Sequence, residues 1–169
     1  MVYEPSEDSF LIQEFVKKYV KGRVLDMCAG TGILAKTALE KTKNVLAADI
    51  DEEAVEYCRK QGINCIKSDL FENIKGKFDL IIFNPPYLPE DKAKLKDDHF
   101  YIGGKKGNEI LERFFSIARK YLNKNGKILI VFSSLTPDVE KIIKKYSFKF
   151  KRLKEEKFFF EKLYVYLAH

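Results

Sequence analysis

The chain has 169 residues, with 31 basic and 25 acidic side chains and a net charge of +6, a length that suits one domain with its own hydrophobic core. Its apolar residues fall in short runs, none near the ~20 needed to span a membrane, and the start Met1-Val2-Tyr3-Glu4-Pro5 lacks the basic and apolar regions of a signal peptide. Cys28, Cys58 and Cys65 form no C-x-x-C pair and His99 and His169 match no zinc spacing, so neither a structural metal nor a disulfide framework is expected, and a cytoplasmic location is the default expectation.

In chain order, residues 7–20 place Phe10, Leu11, Phe15, Val16, Tyr19 and Val20 at helical spacing, with Glu7 and Asp8 in the first turn. Residues 23–27 read as a short strand, and Gly30 and Gly32 open a helix reaching about residue 41. Residues 44–48 are a second strand, and Asp51 caps a helix over 52–60. Residues 64–67 are a third strand. The almost unbroken apolar run 78–83 predicts a central strand covered on both faces. Helical periodicity returns over 107–122, and 127–132 is another buried strand. Thr136-Pro137-Asp138 predicts a helix start with proline at the first helical position. Residues 148–154 and 159–167 read as an antiparallel strand pair turning around Glu155-Glu156.

Strands alternating with helices imply a parallel sheet with right-handed crossovers. The expected architecture is therefore α/β: a Rossmann-like, mostly parallel sheet closed by a C-terminal antiparallel pair, with helices on both faces, as one domain over 1–169. The positive charge is spread along the chain, which favours a solvated lysine-rich surface over a nucleic-acid footprint. Residues 88–106 form a long charged stretch, read as a lid over the substrate moved by Gly103 and Gly104.

Ligands in such sheets sit beyond the carboxyl ends of the strands. Three carboxylates occupy those ends: Asp26 at the end of the first strand, Asp49 at that of the second and Asp69 at that of the third. Gly30 and Gly32 let a ligand approach the backbone. Asp49 suits the hydroxyls of a ribose, and Asp69 beside apolar Leu70 suits an adenine ring. Gly30-Thr31-Gly32-Ile33-Leu34-Ala35 also fits the dinucleotide pattern G-x-G-x-x-A. Asp26 opposes that reading, because a carboxylate there repels a pyrophosphate but tolerates the sulfonium and amino groups of S-adenosylmethionine.

Asn84-Pro85-Pro86-Tyr87 follows the fourth strand. An amide or exocyclic amino nitrogen is a poor nucleophile because its lone pair is delocalised. Methylating it requires acceptors for its N–H groups. The Asn84 side-chain oxygen and the Pro85 carbonyl are such acceptors, the latter aimed by consecutive prolines. Tyr87 offers a flat face for a planar group. Transfer is then a matter of orientation and needs no strong base. Asn84, Pro85 and Tyr87 are the catalytic candidates, and Asn84, Pro85, Pro86 and Tyr87 the substrate-binding set.

With these motifs in place, the chain resembles the HemK-type class I methyltransferases, the release-factor glutamine methyltransferase family, and within it the short archaeal and eukaryotic branch. The resemblance rests on residues 2–11 (Val-Tyr-Glu-Pro-Ser-Glu-Asp-Ser-Phe-Leu), residues 26–32, Asp49-Ile50-Asp51, Ser68-Asp69-Leu70, Asn84 to Tyr87, Gly103-Gly104-Lys105-Lys106-Gly107 and Glu161-Lys162-Leu163. It implies a seven-stranded sheet and methylation of the glutamine in the Gly-Gly-Gln motif of a translation release factor, with S-adenosylhomocysteine as product. It implies cofactor contacts at Ser9, Asp26, Cys28, Asp49, Asp69 and Asn84. The family usually has glycine where this chain has Cys28, and a thiol narrows the space there. The branch is also similar to enzymes that need a small zinc-ribbon activator subunit, which could cover an exposed sheet edge. Three other functions compete: methylation of an adenine N6 or guanine N2 amino group on DNA or RNA, methylation of a protein lysine, and non-catalytic nucleotide binding. The first shares the tetrad's chemistry but lacks a recognition domain or a dense basic patch. The last leaves the tetrad unexplained.

Overall fold

The computed structural model describes residues 2–93 and 101–169. Seven strands form one sheet in the order β3-β2-β1-β4-β5-β7-β6. They are β1 (Val24–Met27), β2 (Val45–Asp49), β3 (Cys65–Lys67), β4 (Phe78–Phe83), β5 (Leu122–Ser133), β6 (Phe150–Lys157) and β7 (Lys162–Ala168). The first five pair in parallel, and β7 runs antiparallel between β5 and β6. The strand order reverses between β1 and β4, which opens a crevice at their carboxyl ends. The expected α/β sheet with its closing antiparallel pair is the one observed.

The helices are α1 (Glu7–Tyr19), α2 (Ile33–Leu39), α3 (Glu52–Lys60), the single turn α4 (Glu90–Ala93), α5 (Glu109–Ala118) and α6 (Val139–Lys145). The core explains the strand choices. Leu80, Ile81, Ile82 and Phe83 of β4 are buried, as are Ile128 to Phe132 of β5. Leu11, Ile12 and Val16 bind α1 to this core, whereas Phe10 faces solvent. Asp51 caps α3 as expected, accepting the Glu53 N–H at 2.9 Å.

Four boundaries differ from the sequence expectation. The helix expected over 107–122 ends at Ala118 and tightens into a 3-10 turn, Arg119–Tyr121. Leu122 already pairs with Phe78, and a register irregularity absorbs the polar stretch before Gly126. A Cβ at Gly126 would lie 2.7 Å from the Phe78 carbonyl oxygen, so that residue admits close strand contact. Gly32 caps the start of α2 as expected, but the helix ends at Leu39, short of residue 41. Pro137 is not the first helical residue of α6: Asp138 precedes the helix with φ +57°, and the Thr136 hydroxyl is engaged elsewhere. The hairpin turns at residues 158–161, not at Glu155-Glu156. Those two residues pair with Tyr164 and Leu163 across the ladder, and Glu155 is held by Arg152 and Lys162.

The centre of the expected lid, residues 94–100, lies outside the described residues. Its two ends are tied together at the tetrad. The Tyr101 carbonyl accepts the N–H groups of Tyr87 and Leu88, and the Leu88 carbonyl accepts that of Gly103. A Cβ on Gly103 would meet the Pro86 carbonyl oxygen at 2.7 Å and Tyr87 Cα at 3.0 Å. Gly103 therefore allows close packing against the tetrad.

Candidate active site

A cavity of about 340 Å³ opens at the carboxyl ends of β1, β2, β3 and β4. Of the residues expected there, Cys28, Gly30, Asp49, Asp69, Leu70, Asn84, Pro85 and Pro86 line it. Ser9, Asp26, Gly32 and Tyr87 do not, and each has an identifiable task behind the wall.

The glycine turn after β1 is built by left-handed backbone at Cys28 (φ +64°), Gly30 (φ +52°) and Gly32 (φ +77°). Gly30 gives its N–H to Asp49 Oδ2 at 2.9 Å, while Asp49 Oδ1 accepts the Asp51 N–H. The Asp49 carboxylate thus bridges the ends of β1 and β2, and burial raises its pKa. Gly32 is required by packing: a Cβ would sit 2.5 Å from Ile63 Cδ1 and 2.9 Å from Cys58 Sγ. Cys28 carries the side-chain cost of a conformation that glycine adopts freely. Burial, with Asp49, Asp26 and Asp69 nearby, pushes its thiol well above the usual range and keeps it protonated.

Asp26 is wholly buried. Its Oδ2 accepts the Ala35 N–H at 2.9 Å, which fixes the first turn of α2. Its Oδ1 has no hydrogen-bond partner among the described residues. Burial pushes this carboxyl up to about 7, opposed by the Ala35 N–H and reinforced by Asp49. An orphaned buried carboxylate oxygen calls for a donor or a cation. At the third strand end, Leu70 (φ +49°) lines the cavity from another left-handed position, held because Ser68 Oγ donates to the Leu70 carbonyl at 2.7 Å. Asp69 is engaged by Arg113 of α5 at 2.8 Å.

At the other end, Asn84 Nδ2 donates to Ser9 Oγ at 3.2 Å, leaving its Oδ1 as an acceptor. Tyr87 is 0% exposed, so its ring is not available for stacking as expected; its hydroxyl donates to Asp8 Oδ2 at 3.1 Å. The aromatic faces on this end of the cavity are those of Tyr3 and Tyr101. Tyr101 packs edge-on against both Tyr3 and Tyr87. Asp8 is the hub. It accepts from the Tyr3 hydroxyl, Ser6 Oγ, the Ser9 N–H and the Tyr87 hydroxyl. Burial, with Asp8 beside them, raises the pKa of both tyrosines, so their hydroxyls remain donors. Asp8, Tyr3, Tyr101 and Arg113 were missed as site residues. The dense opening Tyr3-Glu4-Pro5-Ser6-Glu7-Asp8 signalled the first two, whereas nothing local marked Tyr101 or Arg113.

The family model of the methyltransferase small domain matches residues 7–161. The chain belongs to this family. The methyltransferase is 39% identical over 153 residues to a Methanocaldococcus jannaschii protein described provisionally as a protein N5-glutamine methyltransferase, covering 85% of this chain and 78% of that one. It is 28% identical over 151 residues to the mouse methyltransferase HEMK2, covering 77% and 71%. Among solved structures it is similar to the E. cuniculi Mtq2–Trm112 complex, described as responsible for methylation of the eRF1 translation termination factor. That likeness has a TM-score of 0.80 and 26% identity, over 99% of this chain and 97% of that one. The HemK-type resemblance is thereby borne out, and the methyl donor is S-adenosylmethionine.

The residues present fit that donor. The Asp49 carboxylate on the cavity wall, with Asp26 buried behind it, offers negative charge to a cation, and Met27, Ile50, Ala54 and Leu70 provide apolar walls. Among the described residues no group of three or more His, Cys, Asp or Glu could hold a metal, and no helix is long and apolar enough to cross a membrane.

Proposed function

We propose that this methyltransferase modifies the side-chain amide nitrogen of a glutamine, the one in the Gly-Gly-Gln motif of a translation release factor. The observation that carries this reading is the state of Asn84. One of its two amide N–H groups goes to Ser9 Oγ, which fixes the orientation of the side chain and leaves Oδ1 as an acceptor, and Asn84 lines the same cavity as Cys28, Gly30, Asp49, Asp69 and Leu70. Bound S-adenosylmethionine supplies an electrophilic methyl group. The chain's own residues do the remaining work. Asn84 Oδ1 and the Pro85 carbonyl accept the two N–H groups of the incoming amide and turn its lone pair toward the cofactor side. Tyr101 and Tyr3 offer the planar contact first sought in Tyr87. Tyr87, Ser9 and Asp8 hold Asn84 and its neighbours in place. Cys28, Gly30, Asp49, Asp69 and Leu70 hold the donor, with Asp26 behind them.

The M. jannaschii relative supports glutamine as the target, and the E. cuniculi complex supports a termination factor as the substrate. That complex also supports a partner subunit. Here it would be a zinc-ribbon activator adding to one of the two sheet edges, β3 or β6. The reaction would take place in the cytoplasm, where release factors act. The test is to incubate the chain, alone and with the activator, with labelled S-adenosylmethionine, a release factor, total RNA and DNA. Label on the release factor is expected. Label on nucleic acid alone would overturn the reading.

A further inference from the structure

The hairpin between β6 and β7 points past the carboxyl edge of the sheet, on the side where the cavity opens. Ile130 of β5 lies opposite Phe83, the last residue of β4, whereas Ser133 lies opposite Leu163 of β7. At ~3.3 Å per residue, β5 and β7 rise about 10 Å above the level at which Asn84 leaves β4. Two strand spacings separate β7 from β4, again roughly 10 Å. The turn at 158–161 therefore lies on the carboxyl side of the sheet, two strands from the tetrad and above its level.

The turn is firmly mounted. Phe158 donates its N–H to the Glu161 carbonyl at 2.8 Å. Lys162 and Ser134 exchange two hydrogen bonds, and two residues on, Thr136 Oγ1 donates to the Tyr87 carbonyl at 2.7 Å. Glu161, at the base of the turn, is buried. On this mount Phe159 is completely exposed (102%) and Phe160 is 37% exposed. An isolated exposed apolar residue needs no explanation. Adjacent phenylalanines held by a closed turn on the cavity side of the sheet have one.

We infer that the Phe159-Phe160 tip is a docking point for the folded protein that carries the reacting glutamine, received in an apolar depression on that protein's surface. The inference rests on the proposed protein substrate and adds how its body is held. A glutamine reaching Asn84 on a protein must bring its flanking surface across this rim, about 14 Å away, a gap that a tripeptide does not span and four or five extended residues would. Arg152 and Lys162, two of the hairpin's cations, are both paired with Glu155. That carboxylate offsets one of their two charges, and the fully exposed ring at the tip is an apolar contact, of the kind a protein surface buries and a phosphate backbone does not.

The test measures transfer to an intact release factor and to a tripeptide with the same glutamine, using wild type, Phe159→Asp and Phe159→Leu, each with its activator. Phe159→Asp should raise KM for the intact protein about tenfold, as for a buried aromatic anchor, with kcat unchanged. Phe159→Leu should restore most of the loss. Peptide kinetics, cofactor affinity and thermal midpoint should not move. An unchanged KM for the intact protein overturns the inference alone, as does an equal loss on the peptide. A loss confined to labelled RNA overturns it in favour of nucleic-acid docking. If the wild type labels no release factor, the substrate reading falls first and this inference falls with it.

Discussion

The cofactor half of the cavity is assembled from segments that each end one of three neighbouring strands: Cys28 and Gly30 after β1, Asp49 on β2, Asp69 and Leu70 after β3. The substrate half is joined from four distant segments. Asn84 reaches Ser9 across 75 residues, Tyr87 reaches Asp8 across 79, Ser6 reaches Tyr101 across 95, and Thr136 reaches Tyr87 across 49. The first half stores backbone strain at Cys28 and Leu70 and holds it with the sheet. The second stores little strain and depends on a buried carboxylate with four donors. Damage to the second half should therefore abolish transfer while sparing cofactor binding, and damage to the first should weaken binding itself.

The largest effect expected from this contrast is at Asn84. Asn84→Ala should lower single-turnover transfer by about 10²–10³-fold, as for loss of one positioned polar group in an active site. Cofactor affinity, titrated directly, should stay within a few-fold. Near-full activity would remove Asn84 from the chemistry.

Next is Asp8→Ala, which leaves the Tyr87 hydroxyl and the Ser9 N–H without their acceptor. A loss of about 3 kcal/mol in denaturant unfolding is expected, with transfer falling more than cofactor affinity. If cofactor affinity fell as far as transfer, the two halves would not be separable.

Asp26 gives a pH signature to the cofactor half. The folded protein holds this proton up to about pH 7, whereas an unfolded aspartic acid loses it near pH ~4. Between those values the folded state binds more protons, so this contribution to stability is full below about pH 4 and is lost as pH rises to about 7. Asp26→Asn should flatten that slope, an effect on the order of a few kcal/mol across the window, while weakening cofactor binding. Denaturant midpoints from pH 4 to 8 read the first and titration the second. Parallel slopes in the two proteins would contradict the assignment.

The smallest effect is at Cys28. Cys28→Gly removes a side chain from left-handed backbone and should stabilise by about 1 kcal/mol, read as a raised thermal midpoint with transfer little changed.

These differences also explain what could be read from the sequence. The cofactor half was legible because each acid ends its own strand and the alternation of strand and helix fixes where those ends meet. Asn84, Pro85 and Pro86 were legible for the same reason. Tyr87 was placed correctly in the chain and misjudged in space. Its ring turns inward because buried Asp8 needs a donor, a demand that arises only once α1 docks on the sheet. Tyr101 and Arg113 carry no local signature, since their places depend on where α5 and the segment before it pack. The hairpin turn was misread because a run of three phenylalanines looks like strand, yet Glu155 and Glu156 are the residues that pair.

The most direct measurement is residue-level mapping of the methyl group by tandem mass spectrometry, on a release factor treated with the wild type and with Asn84→Ala. One added methyl on the side-chain nitrogen of the Gly-Gly-Gln glutamine, absent with Asn84→Ala, is the predicted result. A methyl group on a lysine, or on nucleic acid with the glutamine unmodified, would contradict the account.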